Sequence, residues 1–148
     1  MERAPVYLWS YDSPGHKFEG FHITGRKSGL DKIATKLTAP QHPLKKTIKE
    51  TVQLSPTRKR QTAVPNFGPK AISYETLEIV LDLKASDSYF RIYALGKLCK
   101  LELSPTNLQL LITGFEDIVN GHGDYSVGDD KHMLTFWWML NDDVSVDA

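Results

Sequence analysis

Residues 76–85, TLEIVLDLKA, set Leu77, Ile79, Leu81 and Leu83 on one side and Glu78, Asp82 and Lys84 on the other. A repeat of two is the side-chain period of a β-strand, and one apolar face beside one wet face is the mark of an antiparallel sheet with a single solvated side. The run YFRIYALG follows the turn Ser86-Asp87-Ser88, and LCKLELS follows Gly96-Lys97. Three consecutive strands joined by tight turns read as a meander.

SPTNLQLLITGFEDIVNG then changes the period. Ser104 supplies an N-cap, Pro105 fits the first helical position, and Leu108, Leu111, Ile112, Phe115, Ile118 and Val119 form one stripe that ends at Gly121. Gly114 inside that helix costs roughly 1 kcal/mol against alanine, which implies a close approach of the helix to the sheet.

Earlier in the chain, PVYLWSY and HKFEGFHITG read as a hairpin about Asp12-Ser13-Pro14-Gly15. SGLDKIATKLTAP has Leu30, Ile33, Ala34 and Leu37 at helical spacing, with Ser28 as cap and Pro40 beyond the end. TIKETVQL alternates Ile48, Glu50, Val52 and Leu54 and reads as an edge strand, although Ile48 to Val52 also fits a helical turn. The Pro-rich basic stretch at about 55–70 reads as an exposed loop, and the acidic tail at about 141–148 as frayed. MLTFWWML is apolar on both faces, so a central or doubly covered strand is expected. The expected architecture is a single α+β domain over residues 1–148, with a mainly antiparallel sheet and two amphipathic helices packed on one face. A length of 148 residues suits one core, and 41% hydrophobic with 24% charged residues is ordinary globular usage.

Nothing approaches the ~20 apolar residues of a spanning helix, and MERAPVYLWSYDSPG lacks a basic region followed by an apolar signal segment. Cys99 alone cannot form an internal disulfide. A cytoplasmic setting without membrane insertion is the expectation. The formal net charge is zero, yet Lys45, Lys46, Lys49, Arg58, Lys59, Arg60 and Lys70 gather in residues 39–70 and eight carboxylates in residues 112–148. Two faces of opposite sign, or one segment lying over the other, are both consistent with such asymmetry.

The segment GHGDYSVGDDKH gathers His122, Asp124, Asp129, Asp130 and His132, all of metal-ligand type. Read as a calcium loop from Asp124 it fails, with Gly128 at the fifth position, Asp129 where the turn glycine belongs and Thr135 where the bidentate glutamate belongs. Ser126 is no nucleophile elbow, because Asp124 stands where the first glycine is needed and a strand comes next. Glycine and aspartate are also ordinary turn material. No cofactor is expected. The enzyme alternative is a metal-assisted one with His122 or His132 as base and Asp124 or Asp129 as orienter, the four together being the metal candidates.

Arg26, Lys27 and Ser28 at the start of the first helix offer an anion cradle without a phosphate-loop spacing. Arg58-Lys59-Arg60 is a nucleic-acid alternative within Lys45 to Arg60, but no aromatic platform or recognition helix accompanies it, so nucleic acid is not the expected partner. Cys99 lies beside Leu98 and Leu101 as an inert core thiol, and Trp9, Trp137 and Trp138 read most simply as core. Adjacent Trp137 and Trp138 must point to opposite faces of a strand, so one of them is available to a partner.

FHITGRKSGLDKIATKL resembles the entry of small bacterial immunity proteins of polymorphic-toxin systems, a strand, a glycine, a short turn, Gly-Leu and an amphipathic helix. The resemblance covers 17 of 148 residues, and the basic Pro-rich insertion departs from the compact members. It implies a small bacterial α+β protein that binds another protein, as monomer or homodimer, with no catalytic residues. On that reading Asp124, Tyr125, Asp129, Asp130 and Trp138 form the contact surface, aromatic area supplying affinity and charge supplying steering.

Overall fold

A computed structural model describes residues 3–11, 20–38, 47–57, 71–122, 125–128 and 131–137. In chain order the elements are β1 (Val6–Tyr11), β2 (Phe21–Gly25), α1 (Lys27–Thr38), β3 (Thr47–Gln53), β4 (Ala71–Ser73), β5 (Thr76–Asp82), β6 (Phe90–Leu95), β7 (Leu98–Leu103), α2 (Pro105–Asn120), β8 (Tyr125–Gly128) and β9 (Met133–Phe136). Among the described residues the fold is α+β with two helices, as the alternation of periods predicts.

The strands do not form one mainly antiparallel sheet. They divide into two mixed sheets, ordered β4-β1-β2-β9-β8 and β3-β5-β7-β6. β2 and β9 run parallel, and so do β5 and β7. The expected meander is therefore corrected: β7 lies between β5 and β6, in parallel register with β5 and antiparallel to β6. The connection after β5 must cross two strand spacings, about 10 Å, and the stretch from Leu83 to Tyr89 is long enough to do so. It is tied down by α2: Ser104 Oγ donates to the Asp87 carbonyl (2.9 Å), Asn107 Nδ2 to the Tyr89 carbonyl (2.8 Å) and Thr106 Oγ1 to the Asp87 carboxylate (2.9 Å). The return from β6 to β7 is a two-residue turn at Gly96, whose φ of 64° suits glycine.

α2 carries the caps its sequence promises. Ser104 Oγ accepts the Asn107 amide at 3.1 Å, and Gly121 ends the helix in the left-handed region at φ 78°. At α1 the expectation fails in detail. Ser28 lies inside the first turn rather than capping it, and the Arg26 carbonyl receives the amides of Gly29 and Leu30.

A shared core forms from Val6, Leu8, Ile23 and Phe136 of the first sheet, Leu77, Ile79, Leu81 and Leu101 of the second, and the buried stripes of α1 and α2. Gly114 of α2 is buried over Phe136, so the close approach is real and its partner is an aromatic ring. The sheets are linked where Ala4 pairs in parallel with Leu54, the Ala4 amide donating to the Gln53 carbonyl at 2.7 Å. Tyr7 and Trp9 point to the other side of β1, where they form a second buried group with Tyr11, Ala71 and Trp137.

Candidate functional site

The segment from Gly121 to Trp137 is where the acidic turn residues meet the end of the first sheet. After the α2 cap, the His122 amide donates to the Asp117 carbonyl at 2.8 Å, which fixes the exit direction of the chain. The segment beyond it is more than a turn before a buried strand. Tyr125–Gly128 forms β8, antiparallel to β9 and at the edge of the five-stranded sheet. A cross-strand bond of 2.6 Å between the Ser126 and Thr135 hydroxyls locks the pair. β9 itself is central, between β2 and β8, as its two apolar faces require.

His132 joins this hairpin to the second sheet. Its Nδ1 lies 3.1 Å from the amide nitrogen and 3.0 Å from the carbonyl oxygen of Ile92. The imidazole thus covers a main-chain pair on β6, the edge strand of the second sheet. That engagement ties His132 to the second sheet through Nδ1. His122 is exposed behind the helix cap. Asp124, Asp129, Asp130 and Trp138 lie outside the described residues, as do residues 58–70 of the basic loop and the tail at 141–148. Tyr125 pairs with Phe136 through its main chain. Among the described residues, no three His, Cys, Asp or Glu side chains gather as a metal site.

Behind β9 lies the aromatic group. His22 is 1% exposed, stacked on Trp9 at 5.7 Å between centroids and met edge-on by Tyr11 at 5.2 Å. The Trp137 indole donates to His22 Nδ1 at 3.0 Å, the Trp9 indole donates to the Tyr11 hydroxyl at 3.0 Å, and the Thr24 hydroxyl donates to the Trp137 carbonyl at 2.6 Å. Buried polar atoms paired in this way hold one arrangement of rings, because each would cost ~1–3 kcal/mol if left without a partner. The Trp-Trp dipeptide places Trp137 on the His22 side of the strand, the face that alternation assigns to it.

The Arg26-Lys27-Ser28 cradle is only partly assembled. The Lys27 ammonium pairs with Asp31 at 2.7 Å, while Ser28 borders a cleft beside α1. Cys99 is buried, and burial pushes its thiol far up. Folded protein is expected to resist an alkylating reagent that modifies this thiol fully in urea; rapid labelling without denaturant would contradict the core assignment.

One charge network spans the β6–β7 hairpin, where Arg91 stands opposite Glu102 and Tyr93 opposite Lys100. On the wet face of the second sheet Glu102 accepts the hydroxyls of Tyr93 (2.6 Å) and Tyr89 (2.7 Å), with Lys100 at 3.7 Å and Arg91 at 3.9 Å. The bonds from Tyr93 and Tyr89, then the two cations, hold the Glu102 carboxyl below its usual range. The same bonds hold both phenols above theirs. A folded-state value below the unfolded one adds stability above the unfolded value, about 4.3, and that stability is lost as pH falls through the folded value. Glu102→Gln is therefore expected to flatten the loss of stability as pH falls below the unfolded value of about 4.3, measured by urea unfolding at each pH. An unchanged slope would remove Glu102 from the account.

Comparison with protein-family models and with curated proteins found no match. Among the described residues no helix is long and apolar enough to cross a membrane. The site therefore rests on its own geometry.

Proposed function

We propose that this chain is a non-enzymatic protein-binding module of the immunity or inhibitor kind. Its contact surface is the β8–β9 hairpin with Asp124, Tyr125, Asp129, Asp130 and Trp138. The observation that carries this reading is the placing of β8: a four-residue strand at the rim of the first sheet, in a chain segment holding three aspartates, and latched from behind by His132 to β6. Charge beside aromatic area suits recognition, where charge steers encounter and aromatic area supplies affinity. The histidines in buried or latched positions serve the fold, His22 within the rings and His132 on Ile92. The partner of such a surface carries a basic groove, in a bacterial cytoplasm on the same reading.

Affinity capture from native lysate tests it, with wild-type protein beside a folded Asp124→Asn, Asp129→Asn, Asp130→Asn variant. A stoichiometric protein partner held by the wild type and lost by the variant is the expected result. Capture of the same set by both, or of none, would overturn the reading.

A further inference from the structure

A cleft of about 470 Å³ opens between α1 and β3, within the size range of ligand sites. Arg3, Lys32 and Lys36 line it, and no carboxylate is among the described residues that do. Arg3 meets the Glu75 carboxylate at 4.0 Å, which leaves Lys32 and Lys36 as the local positive excess. Lys32 and Lys36 are exposed and make no ion pair with a described residue. They stand four apart on α1, where like charges on one helix face repel.

The opposite wall is the outer edge of β3, which no described strand pairs. The Leu54 amide donates inward to the Glu75 carbonyl at 2.8 Å, whereas the Gln53 carbonyl faces outward to accept the Ala4 amide at 2.7 Å. Main-chain groups alternate sides along a strand, so those of Thr51 and Lys49 face outward with Gln53. Ala4 is the described residue that bonds to this edge, and it does so only at Gln53. Thr51 and Gln53 also line the cleft. A strand edge with open main-chain groups therefore lies across from two ammonium groups that pair with no described carboxylate.

The spacings match. Residues four apart on a helix rise about 6 Å, and residues two apart on an extended chain advance about 6.6 Å on one face. We propose that this cleft docks an extended acidic segment of another polypeptide, which adds as a strand to the outer edge of β3 and directs carboxylates at alternate positions to Lys32 and Lys36. Strand addition supplies affinity through the main chain and specificity through alternate side chains. The proposal is independent of the β8–β9 surface.

The probe is a fluorescently labelled, N-acetylated peptide of alternating valine and glutamate, about six residues long to span the strand, titrated into the full chain by polarisation at low salt. Binding is expected to weaken at least tenfold in Lys32→Glu, Lys36→Glu, two exposed changes whose folding is checked by circular dichroism. Methylating one alternate set of peptide amides is expected to abolish binding while the other set is tolerated. With wild-type protein the Thr51 amide is expected to shift downfield in two-dimensional NMR spectra and to exchange more slowly. No binding of the peptide, equal binding by the charge-reversed chain, or equal tolerance of both methylated peptides would overturn the proposal. Displacement by tripolyphosphate at lower concentration than the unlabelled peptide would assign the cleft to phosphate ligands and overturn it too.

Discussion

Truncating Phe136 to alanine is expected to remove about 3–5 kcal/mol of stability, enough to bring a domain of ordinary stability close to unfolding. The ring is fully buried, meets Phe115 edge-on at 6.3 Å and 83°, and lies beneath Gly114 of α2. A methyl group added at Gly114 would come within 2.6 Å of both Cε atoms of that ring. Gly114→Ala gains about 1 kcal/mol in helix propensity, but overpacking costs about 1–3 kcal/mol, and the ring cannot retreat into a filled core. The net effect is destabilising. In a Phe136→Leu background the same alanine has room, and the propensity gain makes it stabilising. Urea unfolding of the four proteins in this cycle checks the change of sign. Additive effects would show that Gly114 and Phe136 do not compete for the same space.

Gly128→Ala is expected to disrupt the candidate surface most strongly. Gly128 has φ +99°, outside what L side chains readily adopt, and a Cβ there would fall on the His132 carbonyl oxygen and within 3.0 Å of Phe90. The backbone conformation alone costs of order 1–3 kcal/mol, and relief of the clash requires moving His132 off Ile92. Breaking that latch frees the β8–β9 hairpin from β6, so partner binding falls further than global stability does. His132→Ala separates the two effects: it removes the latch without the strain, and its cost is about 1–3 kcal/mol. Binding that survives Gly128→Ala unchanged would place the contact surface elsewhere.

Much of this architecture is legible in the residues. The period-two runs at 76–82 and 98–103, the capped stripe of α2 and the pairing of β1 with β2 arise from local pattern, the turn read at Asp12-Ser13-Pro14-Gly15 lies outside the described residues, and Gly114 announces its close contact. Sheet membership does not. The alternation in TLEIVLDL, read as an antiparallel mark, holds for the β3 neighbour but does not reveal the parallel neighbour β7, and the order β5-β7-β6 goes with the crossover held at Asp87 and Tyr89 by α2. β4 has three residues and β8 four, too few to display a period, so both escape notice.

The candidate site is harder still to foresee, because its decisive contacts join distant residues. His132 meets Ile92 forty positions away, and His22 meets Trp137 across 115. His132 ties the β8–β9 hairpin to β6, and His22 sits among the rings. The cleft of Arg3, Lys32, Lys36 and Thr51 joins segments that share no motif, and only α1 lying against β3 brings them together.

Amide hydrogen exchange on the captured complex against the free chain is the most direct test of the binding account. It predicts that slowed exchange concentrates at Tyr125–Gly128 and the adjoining segment to Trp137, with β5 and β7 unchanged. A partner that protects a different surface while leaving β8 to exchange as in the free protein would contradict it.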